Sequence, residues 1–227
     1  LDDGMEEGLP LYIATQGPLP PTVAHFWQMV KEQRCKAVIM LTKEIENNRI
    51  KCGRYFPLEE GEVNRYGHLV VTTKLKHSSH GAIDRREIEI AHAESCDPPF
   101  VVEHYHYLDW PDHGVPMTTR PIRDLMRHLR LSQISGGPFL VHCSAGIGRT
   151  GAYCTIDLTI RRILKGNLAA INVRETVKNL RKQRAGMVQS KEQYFFCFMA
   201  IRDELTDLIE MDKRRHVLDL GPHPGTT

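Results

Sequence analysis

Apolar and polar residues alternate along the chain with two different periods, which show where helices and strands are expected. Behind Pro20-Pro21-Thr22, apolar residues at positions 23, 26, 27 and 30 recur at helical spacing and predict a first helix. Period-2 stretches predict long strands over residues 63–76 and 85–93. Short apolar runs predict three more strands, over residues 36–41, 100–108 and 138–141.

The remaining helical patterns lie mostly towards the C-terminus. They predict helices over residues 120–131 and near residues 150–165, 172–184 and 190–210. Strands joined through helices, followed by a helical C-terminal third, favour an α/β fold with a twisted mixed β-sheet flanked by helices on both faces. No repeat or linker divides the chain, so residues 11–211 are expected to form one domain. A flexible acidic remnant at residues 1–10 and a disordered tail at residues 212–227 are expected to flank it.

Composition excludes several classes of function. Of the 227 residues 41% are hydrophobic, and no charge-free apolar run approaches the roughly 18 residues of a membrane span. The net charge is +2 and the basic tract Lys213-Arg214-Arg215 stands alone, so nucleic acid is not an expected partner. The six cysteines form no Cys-x-x-Cys pair, which is typical of reduced thiols in the cytoplasm or nucleus. His104 and His106 have no third ligand at suitable spacing, so neither a metal nor another cofactor is expected.

The segment from His142 to Gly151 carries the clearest chemical signal. It reads His-Cys-Ser-Ala-Gly-Ile-Gly-Arg-Thr-Gly, between an apolar strand and a helical pattern. Its small residues allow the backbone to curl until successive N–H groups point inward around an anion, with the positive end of the helix dipole behind them. Cys143 at the base of this cradle is expected to ionise near neutral pH, and Arg149 can bind two phosphate oxygens as a planar fork. A thiolate beside a phosphate site predicts attack by sulfur on phosphorus.

Two other interpretations of this segment fit it less well. A buried, inert cysteine is the commoner fate of a lone cysteine, but it accounts for neither the glycines nor Arg149. A nucleotide-binding loop would need a Gly-Lys-Ser/Thr ending, which the segment lacks. The sequence therefore favours a nucleophilic cysteine.

Four segments together resemble the cysteine-dependent protein tyrosine phosphatases. The matches are the family signature at His142–Gly151, the Gln-Gly-Pro turn at residues 15–19 with His25-Phe26-Trp27 after it, the mobile general-acid loop Trp-Pro-Asp-His-Gly-Val-Pro at residues 110–116, and the glutamine loop Gly-Met-Val-Gln-Ser-Lys-Glu-Gln-Tyr at residues 186–194. They stand in the family's order. The resemblance implies that residues 11–211 are a catalytic domain that hydrolyses phosphotyrosine in signalling proteins through a phosphocysteine intermediate.

The resemblance and the needs of phosphate-ester hydrolysis assign catalytic roles. Asp112, on a predicted loop, is the candidate general acid that protonates the leaving group; the alternative is a turn aspartate that caps its own backbone. Gln189, with Gln193 four residues later, is the candidate that orients the attacking water. Thr150 offers a hydroxyl to the departing thiolate. The expected substrate-binding residues are Ser144, Ala145, Gly146, Ile147, Gly148, Arg149 and Gln193.

Further residues have supporting roles under the same resemblance. Trp110 is expected to be a packing hinge of the general-acid loop, and His142 is expected to order the cradle with Tyr55 as the partner of its ring. Glu46 corresponds to a glutamate that braces the arginine, and Lys51 to a lysine near the acid loop. Both charges equally fit a solvated surface position.

The pair Arg181 and Arg184 lies on a predicted helix just before the glutamine loop. A solvated helix end is favoured for both over a second anion contact. Their pattern alone therefore assigns them no part in the site.

The family pattern is incomplete at the N-terminus. The chain begins with Leu1, and the strings Lys-Asn-Arg-Tyr and Asp-Tyr-Ile-Asn-Ala do not occur upstream of Leu11. We interpret the sequence as a fragment, or an incomplete gene model, of a longer catalytic domain. Because the missing tyrosine stacks on the substrate ring in the family, a phosphatase that also accepts phosphoserine or phosphothreonine is one alternative. A catalytically silent phosphotyrosine-binding module is another, but the chain keeps the nucleophile, acid, arginine and glutamine.

Overall fold

The structure of the protein is a computed structural model that describes residues 9–80, 82–111, 114–132 and 136–219. Its strands are β1 (Tyr12–Gln16), β2 (Ala37–Met40), β3 (Ile45–Glu46), β4 (Arg49–Ile50), β5 (Val63–Tyr66), β6 (Leu69–His80), β7 (Ile83–His92), β8 (Phe100–Tyr107) and β9 (Phe139–Cys143). Its α-helices are α1 (Val23–Glu32), α2 (Arg120–Leu131), α3 (Gly148–Leu164), α4 (Val173–Gln183) and α5 (Lys191–Asp219). Short 3-10 helices cover Pro20–Thr22 and Leu168–Ile171.

A mixed seven-stranded sheet forms the centre of the fold, in the order β1-β9-β2-β8-β7-β6-β5, and β3 pairs with β4 in a separate hairpin. Strands β1, β9, β2 and β8 run parallel, and antiparallel pairing extends the sheet from β8 to β5. Gln16 lies opposite Cys143, and Met40 lies opposite both His142 and His106. The carboxyl ends of four parallel strands therefore meet at one edge, where open α/β sheets carry their ligand sites.

Apolar side chains cover both faces of this sheet. On β2, Ala37 and Ile39 belong to a core shared with α2, α3, α4 and α5, whereas Val38 and Met40 belong to a second core under α1. The alternation follows from the two-residue period of a strand whose two faces are both buried. Helices thus flank both faces, as the sequence predicted, and within the described residues α1 is the one α-helix on its side.

A buried carboxylate joins α2 to α5. Glu204 of α5 is fully buried, and its oxygens accept hydrogen bonds from three arginines of α2, namely Arg123, Arg127 and Arg130. Next to them, the Thr119 hydroxyl donates to Asp203 at 2.7 Å. These bonds attach the C-terminal side of the predicted general-acid loop to α5.

Most predicted elements are confirmed, and the differences have local causes. The helix predicted over residues 120–131 coincides with α2. The single strand predicted over residues 63–76 is wrong, because Gly67, with φ of 62°, makes a tight turn between β5 and β6. The sequence patterns also miss β1 and the β3–β4 hairpin. The hairpin strands have two residues each, too few for a period, and Asn47 and Asn48 with positive φ form the turn.

The C-terminal helix is longer than predicted. The pattern predicts an end near residue 210 and a disordered tail from residue 212, but α5 continues to Asp219. Residues 212–219 contain no glycine or proline, and Arg214 lies 3.7 Å from Glu210 one turn earlier, a spacing that supports helices. Residues 220–227 lie outside the described residues, as do residues 1–8 of the expected acidic remnant. None of the described helices is long and apolar enough to cross a membrane.

Candidate active site

The backbone turns sharply between Cys143, the last residue of β9, and Gly148, the first residue of α3. Gly146 adopts φ of 70°, and a Cβ at this position would lie 2.1 Å from the carbonyl oxygen of Thr15 on β1. Only glycine fits there, because any side chain would clash with β1 and disfavour this φ. The Cys143 side chain at the base of the turn is 5% exposed.

The carbonyl groups of this turn all have hydrogen-bond donors. They accept from Leu41 N at His142 (2.9 Å), from His142 Nδ1 at Cys143 (3.2 Å), from Gly17 N at Ser144 (2.9 Å), from Arg184 at Ala145 (3.2 Å) and Gly146 (2.8 Å), and from Val188 N at Ile147 (3.0 Å). The donors are the His142 side chain of the turn itself and groups from four other parts of the chain. The turn is therefore held on its carbonyl side by its whole surroundings.

The N–H groups of the same turn have no such partners. In the described part of the chain, those of Ala145, Gly146 and Ile147 donate to no acceptor. Helix α3 begins directly behind these N–H groups, at Gly148. Unpaired N–H groups and the positive end of a long helix together make a site for an anion.

A cavity of about 150 Å³ opens beside these N–H groups. At roughly 30 Å³ per water molecule it has room for a phosphoryl group. It is lined by Lys51, Cys143, Ser144, Ala145, Gly148, Arg149, Gln189 and Gln193. The structure thus brings the predicted nucleophile, arginine and both glutamines to one space.

A buried ion pair fixes the Arg149 side chain. Its Nη1 and Nη2 donate to the two carboxylate oxygens of Glu46 at 2.7 and 2.6 Å, and Nη1 also donates to Leu41 O at 2.9 Å. Burial alone would raise the pKa of Glu46, but the hydrogen bonds and charge of Arg149, with the N–H of Lys43 and the hydroxyl of Thr42, hold that pKa below its usual value. Glu46 is thus not a solvated surface charge.

Gln189 and Gln193 approach the start of α3 from the glutamine loop. Built onto Gly148, a Cβ would lie 3.0 to 3.2 Å from the side-chain amides of both residues. Gln193 is buried, and its Oε1 accepts from the N–H groups of Gln189 and Ser190, while Gln193 N donates to Ser190 Oγ. This reciprocal pair caps α5 and fixes the Gln193 amide, whereas Gln189 is exposed towards the cavity.

Val188, which precedes Gln189, has a strained backbone. Its φ is 59°, a conformation that a β-branched residue rarely adopts and that costs about 1–3 kcal/mol. Its N–H donates to Ile147 O, and a Cβ on Gly151 would lie 2.3 Å from Val188 N. The glutamine loop is therefore pressed directly onto the first turn of α3.

Behind Cys143, a buried hydrogen-bonded chain supports the turn. The Tyr55 hydroxyl lies 2.7 Å from Nε2 of both His142 and His104. Because a carbonyl only accepts, His142 carries its proton on Nδ1, which donates to Cys143 O, and its Nε2 accepts from Tyr55. Burial lowers the pKa of His142 to about 4 and that of His104 well below its usual value, so both rings stay neutral at pH 7.

Arg181 and Arg184 lie at the end of α4, and Arg181 is exposed there as the sequence interpretation expected, but both side chains also donate hydrogen bonds to backbone carbonyls of other loops. Arg184 donates to the carbonyls of Ala145 and Gly146, and Arg181 donates to those of Met187 and Val188. These bonds cross to other loops, which a sequence pattern cannot show. The feature of the sequence that could have indicated these contacts is the pair of arginines three residues apart, directly before the glutamine loop.

Of the other residues predicted for the site, the structure describes some and not others. Trp110 is buried against Phe196, and its Nε1 donates to Gly114 O at 3.1 Å within the same loop. Thr150 is fully buried, and its Oγ1 has no hydrogen-bond partner in the described part of the chain. Asp112, the candidate general acid, lies outside the described residues. His106, the other half of the histidine pair, donates to Thr42 O, which is a structural contact.

Comparison with known proteins places these features in a known context. A family model described as protein-tyrosine phosphatase matches residues 4–203. Protein-tyrosine-phosphatase PTP1 of Arabidopsis thaliana is 48% identical over 203 residues, which cover 89% of this chain and 59% of that protein. Tyrosine-protein phosphatase non-receptor type 20 of Rattus norvegicus is 39% identical and tyrosine-protein phosphatase 2 of Dictyostelium discoideum is 34% identical, over 88% and 90% of this chain and 47% and 54% of those proteins. The chain spans about half the length of the curated relatives it matches.

The neutral His142 ring gives a prediction for stability. Its folded pKa of about 4 lies below the unfolded value, so its contribution to stability is present above about pH 6.5 and is lost as the pH falls towards 4. Between pH 7 and pH 5 the free energy of unfolding should fall by about 2 kcal/mol on account of this ring. Urea unfolding at the two pH values measures it. His142→Gln should remove that part of the loss, and His25→Gln, on the exposed side of α1, should not. An unchanged pH dependence in His142→Gln would contradict the assignment.

Proposed function

Because the chain belongs to the protein-tyrosine phosphatase family, we propose that it hydrolyses phosphotyrosine in proteins through a phosphocysteine intermediate on Cys143. The main support for this proposal is the set of residues that line one cavity. The cavity at the carboxyl edge of the sheet is lined by a cysteine, an arginine and two glutamines, beside the N–H groups of residues 145–147, which have no acceptor among the described residues. Such a site binds an oxyanion and presents sulfur to it.

The first step transfers the phosphoryl group to the enzyme. The Cys143 sulfur attacks phosphorus and forms the S–P bond while the P–O bond to tyrosine breaks. Asp112 donates its proton to the departing phenolate oxygen. Arg149, fixed by Glu46, and the N–H groups of the turn bind the equatorial oxygens, where charge is spread in the transition state. Because these donors are already in place, little reorganisation accompanies the reaction.

The second step hydrolyses the thiophosphate. Gln189 orients a water molecule in line with the S–P bond, and this water attacks phosphorus as the bond to sulfur breaks. Its proton passes to the Asp112 carboxylate, which the first step left ionised. The buried Thr150 hydroxyl, which has no partner in the described part of the chain, donates to the departing thiolate. Phosphate leaves, and both groups return to their starting states.

The proposed setting is the cytoplasm, with tyrosine-phosphorylated proteins of signalling pathways as substrates. All six cysteines are free, and burial raises the pKa of Cys35 and Cys52 to about 12. Free thiols of this kind persist in a reducing compartment. The relatives' printed names, which include non-receptor tyrosine phosphatases, support the same setting.

Substitution of the nucleophile tests the proposal most simply. Cys143→Ser should abolish turnover of a phosphotyrosine peptide but retain binding, because a hydroxyl stays neutral at a pH where a thiolate forms. Steady-state phosphate release and peptide binding measure the two properties. Cys96→Ser, which changes an exposed cysteine far from the motifs, should keep wild-type turnover.

The same assay distinguishes the alternatives. Equal turnover of a phosphothreonine peptide would favour the broader phosphatase, and binding without turnover by the wild-type chain would favour the silent binding module. Substantial activity in Cys143→Ser would contradict the mechanism.

The role of Asp112 gives a separate prediction. Asp112→Ala should lower kcat for phosphotyrosine by about 10² to 10⁴, the usual contribution of a positioned general acid. A substrate with a strongly acidic phenol as leaving group needs little protonation and should lose much less. Asp109→Ala, an exposed aspartate just before the same loop, is the matched control and should change neither rate. Equal losses for good and poor leaving groups would show that Asp112 donates no proton.

A further inference from the structure

The end of helix α4 contacts the peptide groups that form the anion site. Arg184 follows the last residue of α4, and its Nε and Nη2 donate to Gly146 O at 2.8 Å and Ala145 O at 3.2 Å. In a planar trans peptide the C=O and the next N–H point in opposite directions. By holding these two carbonyls outward, Arg184 turns the N–H groups of Gly146 and Ile147 to the opposite side. Both of those N–H groups lack acceptors in the described part of the chain.

Three residues earlier, within the last turn of α4, Arg181 contacts the glutamine loop in the same way. Its Nε donates to Met187 O and its Nη2 donates to Val188 O, both at 2.8 Å. These carbonyls flank the backbone of Val188, whose φ of 59° needs external support. The orientation of the peptide bond between Val188 and Gln189 determines the position of the Gln189 side chain. Arg181 therefore controls the position of the residue that orients water.

The shape of arginine suits both tasks better than that of lysine. The planar guanidinium presents donors in a fixed fork that spans two neighbouring carbonyls, whereas an ammonium group is a point charge on a flexible stem. Arg181 lies in the last turn of α4 and Arg184 directly follows that helix, so one short segment reaches both loops. The loops also contact each other directly, through the hydrogen bond from Val188 N to Ile147 O.

We propose that Arg184 is a positioning residue for the anion-binding turn and that Arg181 is a positioning residue for Gln189. This inference rests on the proposed phosphatase function. The two arginines then affect different parts of the reaction. Loss of the Arg184 fork weakens oxyanion binding and slows formation of the phosphoenzyme. Loss of the Arg181 fork slows only its hydrolysis.

Binding of inorganic vanadate to the whole chain tests the part played by Arg184. Arg184→Lys keeps the charge but loses the fork, and its vanadate affinity should fall about tenfold, as expected for the loss of two ordinary hydrogen bonds. The matched control is Arg174→Lys, at an exposed arginine of the same helix, which should bind vanadate like the wild type. Wild-type affinity in Arg184→Lys would overturn this half of the proposal.

Pre-steady-state kinetics with a phosphotyrosine peptide test the part played by Arg181. In Arg181→Lys the rate of the burst in which the dephosphorylated peptide is released should stay within a factor of about 2 of the wild type. Hydrolysis of the phosphoenzyme should slow about tenfold, the size of effect expected from two lost hydrogen bonds. Phosphocysteine should accumulate in mass spectra of this variant and not of Arg184→Lys. Equal slowing of both steps, or of neither, would overturn the assignment.

A second measurement separates positioning from general loss of structure. If a lysine variant unfolds at the assay temperature, Arg184→Ala with millimolar guanidinium ion replaces it, since the free ion can occupy the vacated site. Recovery of vanadate binding on addition of guanidinium supports the proposal, and no recovery in a folded variant opposes it. A wild-type chain that does not turn over phosphotyrosine would overturn the proposed function and the Arg181 half, whereas the Arg184 half is still judged on vanadate alone.

Discussion

A loop can direct its N–H groups at an anion only if its carbonyl groups, which point the other way, find donors elsewhere. This constraint organises the site. Six consecutive carbonyls from His142 to Ile147 accept hydrogen bonds from β1 and β2 ends, the glutamine loop, the end of α4 and the imidazole of His142. The elements around the turn thus fix its direction, and the N–H groups are left for a ligand. Unmade backbone hydrogen bonds are costly in a folded protein, so a row of N–H groups without acceptors among the residues that the structure describes indicates a binding role.

The charged groups of the site are also held in fixed positions by their neighbours. Arg149 is nearly buried, and its fork is held in one plane by the two oxygens of Glu46. Removing one partner of a buried ion pair destabilises by about 3–5 kcal/mol, because the other charge stays buried. Beneath the turn lie three neutral side chains, those of His142, Tyr55 and His104. Each hydrogen bond that links them has a fixed donor and a fixed acceptor. The neutral chain of hydrogen bonds beneath the turn adds no charge, and the Arg149 cation is held in one position. The positive potential of the site therefore lies at the N-terminus of α3.

The sequence allowed the centre of this site to be predicted, and less of its surroundings. Glycines around Cys143 and a helical pattern behind it indicate a strand, turn and helix, because Gly146 tolerates a φ that other residues avoid. Glu46 was expected to brace Arg149 through the family resemblance, and the structure shows the contact. Arg181 and Arg184 were missed because their partners are backbone carbonyls, which leave no mark on the partner residue types. The turn at Gly67 was missed because β5 and β6 are both strands, so no change of period marks the boundary.

We propose that one turn supplies both the nucleophile and the oxyanion donors, and a trapped intermediate tests this most directly. Gln189→Ala, which keeps the turn but loses the residue proposed to orient water, is mixed with a phosphotyrosine peptide, quenched with acid, digested and analysed by mass spectrometry. Phosphate should be found on Cys143, and should be missing when Cys143→Ser is added to the same variant. Phosphate on His142, or turnover that proceeds with no phosphoenzyme in either variant, would contradict this mechanism.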